Sequence, residues 1–419
     1  MKRFGNLWPD VIDTECGIQS IIDGTRFKRG QRDVQWLLYS DEAVANNTNL
    51  WHRIDENKAR IYSEILTKNL KDGTWKHQPP RHKAMYCRNR ASSHGKWRDL
   101  YIPQLDDHIV AHMVMRASMK AFTRGMHPHC CGSVPGRGIK HVNKTVKNWL
   151  THDRQCRYFV KLDIRHFFDT IDREILLSVL ESKIKDKNVI RVFEQIIDSA
   201  PIPCPVGYYT SPWLANLYLE KLDWFVEQQL YKERRGKRIK YVRHYLRYVD
   251  DILLIGTSKA DLKKAIRAIR RFLNKERKVD IKNAWEIKPI GKHNIVDGEW
   301  RMKAGTYWCD IGGYKFCKDA TILRDGIFLS ARRLARQMRR AQYYTVHQSY
   351  SINSRVGWAT HCNSRNFVRR EIEPYVNIET ARRVISNVGK IGKWRSGDSG
   401  GPGTIRQPYY RAPCVPACA

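Results

Sequence analysis

The stretch Tyr241–Gly256, YVRHYLRYVDDILLIG, decides the fold. It reads as strand, tight turn, strand. Tyr241, Val242 and Tyr245 supply β-branched and aromatic residues on one side, and Ile252, Leu253, Leu254 and Ile255 form a continuous apolar run on the other. Between them stand two adjacent carboxylates, Asp250 and Asp251. Like charges side by side repel, so the pair gains nothing structural at so apolar a tip. A divalent cation would stabilise it. Carboxylate oxygens suit Mg²⁺, which keeps several waters and binds through one or two carboxylates plus substrate phosphates. A solvated Asp-Asp turn is the alternative, and the flanking sequence decides between them.

Working outward, charge is the strongest bulk signal. Lys and Arg number 76 against 42 Asp and Glu, a formal charge of +34. So large a surplus repels itself unless a polyanion is the usual partner, and nucleic acid is the expected one, with binding that falls steeply with salt. A membrane surface would want a basic amphipathic helix or a lipidation signal, and neither stands out. With 419 residues there is room for two or three domains. No apolar run reaches the roughly 18 residues of a membrane span, so no membrane partner is expected. The opening MKRFGNLWPDVIDTE lacks an apolar signal core, so the chain is read as cytoplasmic. Eleven cysteines without framework spacing then read as free thiols, and Cys130–Cys131 beside His127 and His129 lacks the second ligand pair of a zinc finger.

Along the chain, residues 1–80 read as an N-terminal extension with one or two helices, Ile61, Ile65 and Leu70 falling on one face. KWRDLYIP brings Lys96 and Arg98 on an extended piece ending at Pro103, followed by a helix to about Phe122. The turn Pro135–Gly136–Arg137–Gly138 leads into a helix and places N–H groups and an Arg where a phosphate would bind. RYFVKLDIRHFFDTID (residues 157–172) reads as a strand that ends near Asp163, a carboxylate that is costly there unless paired or metal-bound. The next helix, ILLSVLESKI, takes Asp169 or Thr170 as its cap. In PIPCPVGYYTSPWLANLYLEKLDWFV, Gly207 permits close backbone approach, Ser211–Pro212 fits a helix start, and Leu214, Leu217, Leu219 and Leu222 mark one long helix. YKERRGKRIK reads as a basic loop, solvated or touching nucleic acid. Ser258 opens a clean amphipathic helix, VDIKNAWEIKP looks like a strand, and WCDIGGYKFCKD like a hairpin with a Gly pair. Residues 328–390 are helical and basic. The tail from Arg395, with Cys414 and Cys418, has the Gly, Pro and Ser content of a disordered segment.

Three carboxylates remain: Asp163, Asp250 and Asp251. Antiparallel pairing of their strands would bring all three to one sheet edge. Two Mg²⁺ ions about 3.5–4 Å apart would there bridge a primer 3′-hydroxyl and a nucleotide triphosphate. Lys96 and Arg98 are candidates to neutralise the triphosphate.

At this point the sequence resembles the reverse transcriptases. LDIRHFFDTI, VGYYTSPWLANLYL and YLRYVDDILL are similar to the three catalytic motifs, the last being the Y-x-D-D box. KWRDLYIP and GRG (residues 136–138) resemble fingers motifs, and IGGYKF the primer grip. The resemblance spans roughly residues 80–370 in the right order. It implies an α+β right-hand polymerase, with an extension to residue 80, fingers 81–155, palm 156–318 with fingers insertions, helical thumb 319–394 and a tail 395–419. It implies Asp163, Asp250 and Asp251 as catalytic metal ligands, with the Ile164 carbonyl an additional ligand, for two Mg²⁺ ions or Mn²⁺. Phe168 falls where the family keeps an aromatic gate against a ribose 2′-OH. Tyr248 would lie under the primer terminus, Gly207 and Ser211 beneath template and nucleotide, and Lys282 near a later lysine motif. Expected partners are a template or non-coding RNA, an RNA–DNA duplex, dNTPs, and a small accessory protein or a second copy. Val206 stands where intron and retron enzymes have glutamine, as in diversity-generating retroelement enzymes, which MKRFGNL and GWATHCNSRNF also resemble. Those usually continue Ser-Gln where this chain has Ser211–Pro212, which leaves open a defence enzyme that copies a dedicated non-coding RNA. No endonuclease or RNase H signature follows the thumb. A catalytically inert RNA-binding protein is the reading from another class, and three intact acidic positions argue against it.

Overall fold

In a computed structural model of the chain, residues 3–26, 28, 31–39, 54–87, 95–296, 299–341 and 343–394 are described. The tail from Arg395, including Cys414 and Cys418, lies outside them. Helices Thr14–Thr25 and Glu56–Lys71 pack against the long helix Leu105–Thr123 or each other and open the chain. Ile61 and Ile65 face outward, contrary to the sequence reading. The inward face is Ala59, Tyr62, Ser63, Leu66, Thr67 and Leu70. Small polar residues fit there because the helices approach closely: a Cβ on Gly17 would stand 2.0 Å from the Ser63 Oγ, and that hydroxyl donates to the Thr14 carbonyl.

Strands β1 (Arg81–Cys87) and β2 (Lys96–Ile102) form an exposed antiparallel ribbon, in register from Arg81↔Ile102 to Cys87↔Lys96. The central sheet takes β3 (Cys130–Cys131) and β4 (Tyr158–Asp163). The basic stretch expected to be a loop is instead a hairpin, β5 (Tyr231–Arg234) and β6 (Lys237–Lys240). Next come β7 (His244–Tyr248) and β8 (Asp251–Gly256), the hairpin read from the sequence, and a short β9 (Lys288–Pro289). The central sheet has the order β3-β7-β8-β4-β9. Hairpin β10–β11 (His293–Val296, Glu299–Met302) follows, and then β12 (Cys309–Ile311), β13 (Tyr314–Phe316) and β14 (Thr321–Leu323) as a three-stranded sheet. Four helices, from Asp325–Met338 to Ile378–Trp394, close the described chain.

The core follows the apolar strands. Leu246, Ile252, Leu253, Leu254 and Ile255 are fully buried, because one face of the central sheet packs on helices and the other on the helix Ile139–His152 and the strands Cys309–Ile311, Tyr314–Phe316 and Thr321–Leu323, which leaves no solvent-facing alternation. Several local readings differ. The helix Arg173–Lys183 is capped by Asp172, which accepts from the Ile175 N–H, and not by Asp169 or Thr170. The leucine-rich helix breaks at Leu219 into Ser211–Tyr218 and Glu220–Gln229. VDIKNAWEIKP is mostly irregular, touching the sheet at an Ile281–Ile164 bridge and at β9. Ser258 does cap its helix, accepting from the Asp261 N–H. No described helix is long and apolar enough to cross a membrane.

Candidate active site

β4 and β8 pair antiparallel from Tyr158↔Gly256 to Asp163↔Asp251. That register makes Asp163 and Asp251 direct cross-strand neighbours, and directly opposed side chains leave a sheet on one face. Asp250 sits beside them in the β7–β8 turn. Two strands far apart in sequence thus bring the three carboxylates together. Opposed like charges destabilise a sheet, and the electrostatics record it. Burial pushes the Asp250 carboxyl up, and the Asp251 and Asp163 charges push it further. Burial also raises Asp251, aided by Asp163 and Asp310 and opposed by Lys161 and Arg324. The Lys282 Nζ lies 2.7 Å from the Asp163 Oδ1, and the Lys282 N–H donates to the Asp163 carbonyl at 2.8 Å. An all-oxygen set of clustered carboxylates with protonation favoured by repulsion fits hard divalent cations.

The turn itself is strained. Val249, a β-branched residue, has φ 57°, a region that costs an L-residue about 1–2 kcal/mol. It is held there from both sides: the Val249 N–H donates to the Cys131 carbonyl at 3.1 Å, and the Arg247 Nη1 donates to the Val249 carbonyl at 2.9 Å. Arg247 and Asp223 are fully buried. The Arg247 Nε and Nη2 each donate to an Asp223 carboxylate oxygen at 2.7 Å. The Tyr245 hydroxyl adds a bond of 2.6 Å to the same carboxylate. Asn216 accepts from Arg247 at 2.9 Å and donates to the Gly132 carbonyl at 2.8 Å. This fork-to-carboxylate pair, with its remaining donors satisfied, is the support beneath Asp250. The sequence reading missed it. Its signal was an Arg between buried strand residues, and an Asn and an Asp on helices otherwise rich in leucine.

The remaining candidates surround this centre at different depths. Phe168 is half-buried in the short helix Phe167–Thr170, its ring 5.6 Å from that of buried Phe167. Ile164 is buried at the end of β4. Tyr248 ends β7 opposite Asp251. Gly207 has φ 117°, and a Cβ there would stand 2.2 Å from the Tyr101 carbonyl oxygen, so no side chain fits. Beside it the Tyr101 N–H donates to the Val206 carbonyl at 2.8 Å. The Ser211 hydroxyl donates to the Pro205 carbonyl at 2.7 Å and so fixes the loop without capping the helix. Lys96 and Arg98 lie on exposed β2, with no described ion pair to the carboxylates. β12 comes close from the other side: Asp310, which accepts from the Arg324 Nε at 2.8 Å, acts with that Arg on the Asp251 charge.

The cysteines beside His127 and His129 have other partners. The Cys130 sulfur accepts from Arg247 at 3.1 Å, and the Cys131 thiol points to the His129 carbonyl. Two further clusters, Asp153–Cys156–His244 and His293–Cys317–Asp319, gather donors of metal-ligating type. In the first the carboxylate already accepts from Arg243 and His244. In the second it accepts from His293 and Cys317.

Residues 82–284 match the family described as "Reverse transcriptase (RNA-dependent DNA polymerase)". Among curated proteins the chain is similar to protein YkfC of Escherichia coli, 26% identical over 225 residues, covering 46% of this chain and 58% of that one. It is 29% identical over 201 residues to the group II intron-encoded protein LtrA of Lactococcus lactis, covering 46% and 32%. It is 25% identical over 220 residues to the retron Ec73 reverse transcriptase of Escherichia coli, covering 50% and 66%. The chain thus spans 58% and 32% of the length of the first two relatives. Among solved structures it is similar to apo telomerase from Candida tropicalis, with TM-score 0.46 and 12% identity over 75% of this chain and 59% of that one. The family match agrees with the α+β right-hand polymerase fold expected from the sequence.

Proposed function

We propose, on the premise that residues 82–284 are a reverse transcriptase domain, that this chain is an RNA-directed DNA polymerase copying a cognate structured RNA into DNA. The single observation that carries the reading is the β4–β8 register, which sets Asp163 opposite Asp251 with Asp250 alongside. Asp163, Asp250 and Asp251, with the Ile164 carbonyl, would hold two divalent cations, Mg²⁺ or Mn²⁺, whose contribution when bound is to lower the pKa of the primer 3′-hydroxyl and offset the leaving pyrophosphate. Lys282, 2.7 Å from the Asp163 Oδ1, holds that carboxylate in orientation until then. Lys96 and Arg98 on the β1–β2 ribbon bind the triphosphate, and ribbon closure over the sheet brings them to it. Phe168 excludes a 2′-OH, and Tyr248 supports the primer end. Gly207 and Ser211 shape the floor below template and nucleotide. In this reading residues 81–155 are fingers, 156–318 palm and 319–394 thumb.

Changing Asp250 and Asp251 together to Asn abolishes dNTP incorporation on an RNA template while RNA binding persists. Incorporation by that variant rejects the assignment. Phe168→Ala admits ribonucleotides. Val206 favours a diversity-generating retroelement of error-prone copying. Ser211–Pro212 favours a defence enzyme acting on a dedicated non-coding RNA. Product error spectra of the parent and of Val206→Gln separate the two, because only the first role needs them to differ.

A further inference from the structure

The β5–β6 hairpin has no part in the site above and is built against its own stability. YKERRGKRIK carries six cationic side chains and one carboxylate. None of its residues is buried, and Ile239 is exposed. An isolated two-stranded ribbon without an apolar face is marginal in water. Its tip is worse. Arg234 stands directly opposite Lys237, a like-charged cross-strand pair that destabilises. The two-residue loop between them is Arg235–Gly236, with φ 50° and 70°. Positive φ at both positions is the type I′ turn, for which Asn-Gly is the favoured pair and an Arg is a poor choice.

The pairing pattern separates root from tip. Near the root, Lys232 binds Asp261 and Lys240 binds Glu227, and midway along the ribbon Arg238 faces Glu233 in an exposed pair at 3.8 Å and lies over the Tyr231 ring. At the tip, Arg234, Arg235 and Lys237 have no ion pair among the described residues. The root is also remote from the chemistry. It joins the start of β7, whereas the carboxylates lie past its end, and five strand residues span about 17 Å.

We infer that the Arg234–Arg235–Lys237 tip is a docking point for the phosphate backbone of paired RNA, outside the polymerase cleft. Three unpaired cations at one point suit a polyanion and carry no base readout. A-form RNA suits such a tip because paired RNA is recognised through shape and phosphate contacts more than through base edges. The inference rests on the RNA-copying reading for its choice of polyanion. It assigns the tip to holding a structured region of the RNA while its single-stranded part feeds the sheet.

The test uses the full chain and a blunt 20-base-pair RNA stem. Kd is measured across a salt series for the parent, for Arg234→Ala with Arg235→Ala and Lys237→Ala, and for a control of equal charge. The control, Lys263→Ala with Lys264→Ala and Arg267→Ala, lies on the exposed face of the helix Lys259–Arg277. Losing three phosphate contacts lowers the slope of log Kd against log salt by about 2–3, and the control lowers it by less than one. Incorporation on poly(rA)/oligo(dT) stays within twofold of the parent. Arg235→Asn supplies a second arm: it raises Tm by improving the turn and weakens stem binding. Equal slopes for tip variant and parent overturn the inference, as does an equal loss in the control. Loss of binding to phosphatidylglycerol vesicles with stem binding unchanged overturns it in favour of a membrane surface. A slope difference in a protein that incorporates no dNTP supports the docking point and removes only the polymerase reading.

Discussion

Two hairpins of this chain turn on a non-glycine residue in the left-handed region, Val249 at φ 57° and Arg235 at φ 50°, and they handle the same strain in opposite ways. Beneath Val249 lies a buried guanidinium–carboxylate pair with bonds to the turn carbonyl, to a neighbouring helix and to a buried thiol. Beneath Arg235 lies nothing apolar, and the nearest cross-strand pair is repulsive. Local strain of this kind persists where the surroundings over-determine it or where function keeps it. The first turn is over-determined. The second stands exposed, in keeping with the docking role proposed for its charge.

The largest effect that separates the two comes from Asp223→Ala, which strands the Arg247 charge inside the protein. Breaking a buried pair in this way costs about 3–5 kcal/mol. Urea unfolding should show that loss, whereas Lys237→Ala on the exposed hairpin should stay within about 0.5 kcal/mol. Asp223→Asn keeps a hydrogen-bond partner and should fall between them, with incorporation reduced more than nucleotide affinity because the turn bearing Asp250 loosens.

The next effect is pH-dependent. Burial and the mutual repulsion of the carboxylates raise Asp250 and Asp251 in the folded chain. Carboxyls raised on folding leave the fold most stable when protonated. Their cost sets in as pH climbs past the unfolded value of about 4 and is complete above the raised folded value. Converting both to Asn should therefore raise Tm at pH 7 and change little at pH 3. Millimolar Mg²⁺ should raise the parent's Tm and leave the double variant's unmoved. A Tm gain at pH 3 equal to that at pH 7 would remove the repulsion argument.

Smaller again are the two turn substitutions. Arg235→Asn should stabilise by about 0.5–1 kcal/mol, since it relieves an L-residue with a side chain poorly suited to the left-handed region. Val249→Gly relieves similar strain but loses packing, so its stability should move by less than about 1 kcal/mol while incorporation drops. If both variants behaved alike in stability and activity, the contrast between the turns would be lost.

What the sequence disclosed depended on whether a residue acts through its neighbours in the chain or across space. The apolar run Ile252–Ile255 and the alternation around Leu162 showed both strands, and the carboxylates at their ends implied the register that the structure contains. The Ser258 cap and the face of Leu262, Ile266, Ile269 and Leu273 were equally legible, since both follow from local spacing. YKERRGKRIK was read as a loop because its alternation has no apolar phase to reveal it. Ile61 and Ile65 were grouped with Leu70 on one face, yet only Leu70 is buried, because hydrophobicity alone cannot foresee that Gly17 admits Ser63 to the packed face. Arg247, Asp223 and Asn216 meet only in the fold, so nothing in their spacing marks them as one unit.

One small contact carries a further consequence. The Val206 carbonyl accepts the Tyr101 N–H, and Tyr101 continues the strand that bears Lys96 and Arg98. The position that departs from glutamine is therefore yoked, main chain to main chain, to the arm proposed to grasp the incoming nucleotide. A shift of that arm as it folds inward would tug on the template's bed, and a misfit base in the bed would be felt as a changed hold on the triphosphate. Accuracy and speed would then share a single mechanical linkage and could not be tuned apart.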